Sequence, residues 1–300
     1  MRVTITGATG LIGSRLVAEL LGRGDEITVL SRDAARAQES LGVTAHEWDL
    51  YSQPAPAVAL SGRDAVVHLA GENVAQRWSA TAKRTICDSR VEGTRNLIAG
   101  LQACDPKPKV LVSSSAIGYY GARGDEPIDE EAPPGSGFLA EVCVAWEREA
   151  QAATQLGIRL VRVRTGIVLD AGGGALKTML PPFRAGVGGP VAGGRQFMSW
   201  IHRDDLVGMI VAALDGDSWS GAVNATAPEP VSNREFARAL GHALHRPAIA
   251  PLPGAALRLL YGDMAEMVTT GARVLPAKAL VLGYAFRHPQ LGGALSAALG

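Results

Sequence analysis

The segment TGATGLIG, residues 6–13, constrains this chain of 300 residues more than any other. RVTIT at 2–6 reads as a short β-branched strand. Beyond the glycines, Leu11, Ile12, Leu16, Leu20 and Leu21 recur at helical spacing in a stretch that ends near Gly24, and EITVLSR at 26–32 reads as a second strand. Strand, glycine-rich turn, helix and strand within about thirty residues make a βαβ unit with parallel strands. Gly7 suits the tight turn, Gly10 the close approach of a pyrophosphate to backbone N–H groups, and Gly13 close helix packing. Thr9, Leu11 and Ile12 complete the loop at the positive end of the helix. A dinucleotide site is therefore expected at the amino-terminal end.

Further strands are expected at 44–50 (TAHEWDL), 65–71 (AVVHLAG), 109–115 (KVLVSSS) and 159–169 (RLVRVRTGIVL). Helical stretches are expected around 80–103 and 138–156. The fold class is thus α/β, a Rossmann-type doubly wound parallel sheet with a smaller C-terminal lobe. The expected division is a nucleotide-binding domain over 1–227, with a Gly/Pro-rich substrate-side insertion at 170–198, and a mainly helical substrate lobe over 228–300.

Lys+Arg and Asp+Glu both number 29, so no basic surplus points to nucleic acid or an anionic membrane. No run reaches about 18 apolar residues, and the chain enters a strand at once without signal-peptide features, so a cytoplasmic protein is expected. Cys87, Cys104 and Cys143 have no disulfide or zinc spacing, and no metal is expected. The oligomeric state is not legible.

The end of the second strand selects the cofactor. A unit that binds NAD usually carries an acidic residue there for the ribose 2′-hydroxyl, whereas this chain has Ser31 and Arg32. Arg32 suits a 2′-phosphate, so NADP(H) is the expected cofactor. Asp33 is the competing feature, since in that role it would favour NAD.

TGATGLIG, HLAG at 68–71, VLVSSSAIGYYG at 110–121 and WIHRDDL at 200–206 resemble the extended branch of the short-chain dehydrogenase/reductase superfamily. AGENVAQRW, SRVEGT, RTGIVL, the 180–202 block, NATAP and GYAF resemble its atypical epimerase family subgroup over essentially the whole chain. The resemblance implies that Leu69, Ala70 and Gly71 pass the cofactor, that Asp49 and Leu50 meet the adenine edge, and that Glu72 and Arg77 lie on its ribose or phosphate side.

The superfamily's usual engine is a Tyr-x-x-x-Lys pair, with a Ser or Thr on the preceding strand. No such pair occurs in this sequence. The helix in its place, SGFLAEVCVAWE at 136–147, offers Phe138 with Val142, or Leu139 with Cys143. Ser115 resembles the catalytic hydroxyl, although serines at a strand end also satisfy turn backbone. Tyr119 or Tyr120 is the expected replacement acid; a tyrosine without a lysine stays near pKa 10 and is a poor base. Reduction of a small carbonyl or enone therefore fits better than alcohol oxidation.

Arg184, Arg195, Trp200 and His202 are the expected substrate residues, suited to an anionic or planar compound. In HRDD at 202–205 an aspartate is expected to cap a helix. Glu141 and Glu147 do not share a helix face and form no dyad. Two further readings stand beside the reductase: a nucleotide-sugar epimerase or dehydratase, and a non-catalytic NADPH-sensing protein.

Overall fold

A computed structural model describes the backbone of residues 1–300 and every side chain except those at 260 and 261. Thirteen strands follow one another: β1 (Arg2–Thr6), β2 (Glu26–Ser31), β3 (Thr44–Glu47), β4 (Ala65–His68), β5 (Val110–Ala116), β6 (Pro127–Ile128), β7 (Arg159–Thr165), β8 (Ile167–Leu169), β9 (Phe197–Met198), β10 (Trp200–His202), β11 (Gly221–Ala225), β12 (Val231–Ser232) and β13 (Arg273–Val274). The helices are α1 (Leu11–Gly22), α2 (Ala34–Leu41), α3 (Ala80–Gln102), α4 (Phe138–Gln151), α5 (Gly174–Arg184), α6 (Arg203–Asp215), α7 (Asn233–Ala243), α8 (Gly254–Tyr261), α9 (Glu266–Thr269), α10 (Ala277–Val281) and α11 (Leu291–Leu299).

Seven strands form the main sheet in the order β3-β2-β1-β4-β5-β7-β11, and every pairing in it is parallel. Helices cover both faces, so the central strands are buried on both sides and read as apolar runs rather than alternations. Val3, Ile5, Val29, Val67 and Val112 pack on one face with Leu16 and Leu20 of α1 and Ile210 of α6. Leu30, Val66 and Leu111 pack on the other with Leu97 and Leu101 of α3 and Ala150 of α4. Strand order reverses between β1 and β4, and ligands of open α/β sheets bind beyond the carboxyl ends of the strands at that point.

The run expected as one strand over 159–169 is two. It breaks at Gly166, where a β-carbon would strike the Ser199 carbonyl oxygen and come within 3.0 Å of Thr226 Cγ2. Past that crossing β8 leaves the main sheet and pairs with β10. A second core follows, in which Leu176, Leu180 and Phe183 of α5 pack with Phe236 and Leu240 of α7, Leu295 of α11 and Trp200. The Gly/Pro-rich segment therefore contributes a helix to the same apolar cluster as the C-terminal elements. Two short ladders complete it: β12 pairs with β9 within the lobe, and β13 pairs with β6 in the loop that follows β5. Among the described residues no helix is long and apolar enough to cross a membrane.

Candidate active site

The glycine loop is shaped by what passes beside it. Gly7 has φ +70°, and a β-carbon there would lie 2.7 Å from the Leu69 carbonyl carbon and 2.8 Å from the Ala70 nitrogen. The exits of β1 and β4 thus run in contact, and the Ala70 N–H donates to Thr6 Oγ1 at 3.2 Å. A β-carbon on Gly13 would come within 2.6 Å of Ala8 Cα, so α1 lies directly against the loop. Gly10 precedes α1 and no side chain caps that helix. The uncapped turn opens onto a cavity of about 880 Å³.

Gly7, Gly10, Leu11, Ile12, Gly13, Leu69 and Gly71 line one end of this cavity. Thr9 and Ala70 lie in the same loops without lining it. At the carboxyl end of β2, Arg32 is exposed. The Asp33 side chain is committed to capping α2, accepting the Arg36 N–H at 2.9 Å. Asp49 accepts the Tyr51 N–H at 3.1 Å. Bonds from Ser52 and Tyr51 hold its carboxyl below the usual range, and the charge of Arg32 adds to them. Ser31, Arg32 and Asp49 are thereby gathered at the strand ends beyond the cavity, while the Leu50 side chain packs against Gly93 of α3. The backbone N–H of Glu72 donates to Ser89 Oγ at 3.0 Å. Arg77 is exposed in the loop before α3. Neither side chain lines the cavity.

The other end is walled by Ser114 and Ser115, by Phe138, Leu139, Cys143 and Trp146 of α4, and by Thr165, Phe197 and the 266–272 segment. Trp78 and Phe138 meet edge to face, with ring centroids 5.0 Å apart. Ser115 is 3% exposed, and its hydroxyl donates to Glu147 Oε1 at 2.7 Å. Glu147, 4% exposed, also accepts Arg164 Nε at 2.8 Å, Arg164 Nη2 at 2.9 Å and Arg162 Nη1 at 3.2 Å. Burial pulls the Arg164 guanidinium down, but the hydrogen bond and charge of Glu147, with those of Tyr120, raise it overall. Burial pushes the Cys143 thiol up to about 11, with the Glu147 charge adding to it.

Neither tyrosine expected as an acid borders the cavity. Tyr120 is fully buried, and its hydroxyl donates to Asn224 Oδ1 and accepts from Arg164 Nη1 at 2.7 and 2.8 Å. Burial pushes its pKa up to about 12 despite the Arg164 charge. Tyr119 lies under the Arg164 guanidinium, 3.5 Å from ring centroid to Cζ. Both rings support the Arg164–Glu147 pair.

The expected substrate residues are displaced as well. Arg184 and Arg195 are exposed on the outer lobe and line no part of the cavity. Trp200 is fully buried in the second core, where its Nε1 donates to the Glu229 carbonyl at 3.2 Å. His202, and not an aspartate, caps α6: its Nδ1 accepts the Asp204 N–H at 3.1 Å. Asp205 turns instead to the C-terminal loop, accepting the N–H groups of Arg287 and His288 at 2.7 and 2.9 Å. Among the described residues, His202, Asp204 and His288 bring three potential metal-ligand atoms within 4.8 Å of one another. Asp204 is nevertheless paired with Arg15 at 2.9 Å and Arg203 at 3.7 Å, so its carboxylate is already neutralised by protein cations.

Arg164, Arg90 and Trp78 carried no signal as site residues in the sequence. Glu147 was weighed against Glu141 on its own helix, whereas its partners come from β5 and β7. Phe197 and Glu266–Ala272 reach the cavity only through the path of the outer lobe.

The fold, the glycine loop and the serine-bearing β5 define a Rossmann-type protein of the extended short-chain dehydrogenase/reductase class. The model of the NAD dependent epimerase/dehydratase family matches residues 3–224, and that of a Domain of unknown function (DUF1731) matches residues 252–298. The chain belongs to the NAD dependent epimerase/dehydratase family. It is 39% identical over 305 residues to the chloroplastic epimerase family protein SDR39U1 homolog of Arabidopsis thaliana, covering 99% of this chain and 86% of the relative. It is 40% identical over 295 residues to the epimerase family protein Mb2239 of Mycobacterium bovis, covering 98% and 96%. The crystal structure of human epimerase family protein SDR39U1 (isoform2) with NADPH superposes with a TM-score of 0.89 at 37% identity, covering 100% of both chains.

Proposed function

We propose that this protein is an NADP(H)-dependent oxidoreductase that reduces a small, planar, largely apolar carbonyl or enone compound. One observation carries the reading: a single cavity of about 880 Å³ joins the uncapped N-terminus of α1 to an aromatic wall at Ser115 and α4. The glycine loop fits a dinucleotide diphosphate, because Gly7, Gly10 and Gly13 line the cavity at the uncapped N-terminus of α1. Arg32 favours the 2′-phosphate, and Asp33 is tied up in its helix cap. NADPH in the human relative agrees with that choice. The bound dinucleotide would supply a hydride, and the proton that completes the reduced product would come from solvent water.

The residues of the chain favour reduction over alcohol oxidation. At the positions that resemble the usual Tyr/Lys pair stand Phe138 and Val142, which have no acidic proton, or Leu139 and Cys143, whose thiol burial pushes up to about 11. Neither pair accepts a proton at neutral pH. The hydroxyl hydrogen of Ser115 is engaged by Glu147, so its lone pairs are what it offers to the cavity. Trp78, Phe138, Leu139, Val74, Phe197 and Met267 supply a wall for an apolar ring. With Arg184 and Arg195 outside, an anionic substrate loses its expected partners.

A non-catalytic NADPH-binding role is the second reading, favoured by the same lack of a proton acceptor at those positions of α4. Turnover separates the two. The purified protein should oxidise NADPH with at least one member of a panel of quinones, enones and ketoses. Tight binding of NADPH with no turnover across the panel would leave only the binding role.

A further inference from the structure

Among the described residues, the cavity wall contains a cation with no counter-ion. Arg90, on α3, lines the cavity beside Gly71 and Trp146. Its guanidinium carbon sits 5.1 Å from the Trp146 ring centroid. A β-carbon at Gly71 would touch Cζ at 3.5 Å and Nη2 at 3.6 Å, so the guanidinium also packs against that backbone. Nη1 is fixed by the Glu72 carbonyl at 3.1 Å, the Ile86 carbonyl at 3.1 Å and Ser89 Oγ at 3.3 Å. Ser89 Oγ in turn accepts the Glu72 N–H at 3.0 Å, which ties α3 to the exit of β4.

Only one edge of the group is spoken for. Among the described residues, Nε and Nη2 have no acceptor, and no carboxylate lies within ion-pair distance of Arg90. These open donors stay accessible from the cavity, where a ligand can accept from them. Burial pulls its pKa below the ordinary arginine value, as expected for a cation without a paired acid, although Cys143 and Glu72 oppose the shift. The other basic side chain on the wall, Lys177, is exposed.

We propose that Arg90 binds the ribose and diphosphate oxygens of the nicotinamide half of the dinucleotide, bringing from α3 a positive charge that the cavity-lining residues of α4 do not carry. Its contact with Trp146 of α4 favours that half. Arg90 shares the cavity with Gly10, Ser115 and Cys143, whereas Arg32 stands beyond the cavity near Asp49. A planar guanidinium with two adjacent free donors matches paired oxygens on one ligand. The proposal rests on the cavity being a dinucleotide site, and the two can fail separately.

The test compares NADPH with adenosine 2′,5′-bisphosphate, which lacks the nicotinamide half, by direct binding to the parent protein and to Arg90→Met and Arg90→Lys. In Arg90→Met the affinity for NADPH should fall by about 10- to 100-fold while that for the bisphosphate is unchanged. Arg90→Lys should recover part of the loss. The inference is overturned if NADPH binding is unaffected, or if both ligands weaken equally, which would mark a purely structural arginine. A parent protein that binds neither ligand would instead remove the dinucleotide reading itself. Thermal melting without ligand identifies variants that fail to fold, and Arg90→Lys then carries the comparison.

Discussion

Ser115 and Glu147 are joined by a 2.7 Å hydrogen bond between β5 and α4, and two arginines of β7 close on the same carboxylate. The bond takes the hydroxyl hydrogen that a substrate oxygen would otherwise receive. It also makes Glu147 the point where strand and helix are locked together behind the cavity.

Glu147→Gln should therefore act mainly on stability. Removing the charge strands the buried Arg164 guanidinium, and breaking a buried pair in this way costs about 3–5 kcal/mol. Urea unfolding of the variant and parent checks the figure. A loss below about 1 kcal/mol, the range of exposed pairs, would mean the network is solvated.

Tyr120→Phe distinguishes packing from acid catalysis. A general acid removed in this way lowers turnover by about 10²- to 10⁴-fold. Because its hydroxyl joins Asn224 and Arg164 away from the cavity, turnover should stay near the parent value. Stability should drop by about 1–3 kcal/mol as those buried partners are left unsatisfied. Steady-state rates and urea midpoints measured on one preparation decide the matter.

Arg32→Ala should weaken NADPH by about 10- to 100-fold and leave NADH nearly unchanged. Fluorescence titration with both nucleotides measures the ratio. Equal loss for the two would place the 2′-phosphate elsewhere.

His68 gives the protein a pH-dependent stability. It is fully buried between Thr6 and Thr94, and burial lowers its pKa from 6.5 to about 4. The unfolded chain binds the proton first, so this contribution is complete above about pH 6.5 and is lost as the pH falls toward about 4. It amounts to roughly 3 kcal/mol. His202, lowered by burial and by its neighbour His288, shifts in the same direction. Urea midpoints across that range should decline in the parent and flatten in part in His68→Gln.

How far the sequence carried depends on the range of each interaction. Gly7, Gly10 and Gly13 were legible because their demands are local: a turn and two close approaches within one βαβ unit. The seven parallel strands followed from short apolar runs between helical stretches. The break at Gly166 was not legible, since Ser199 and Thr226, which force it, lie far along the chain. Trp200 and His202 looked like site residues because an aromatic and an imidazole stand beside a glycine-rich loop. Their strand is instead sealed between the two cores, so one packs and the other caps a helix. Tyr119 and Tyr120 followed the strand end as expected, but Arg164 from β7 draws both away from the cavity. Arg90 carried no local signal; its role depends on Gly71 and Trp146, which only the fold brings to it.

Hydride transfer from NADPH without a tyrosine–lysine pair is the central claim, and isotope transfer tests it most directly. NADPH deuterated at C4 on each face in turn would be incubated with the protein and the best acceptor of the quinone, enone and ketose panel, and the product analysed by mass spectrometry. Deuterium should appear in the product from one face only, and the same stereochemistry should persist in Tyr120→Phe. NADPH that binds tightly yet transfers no deuterium from either face to any acceptor would contradict the account.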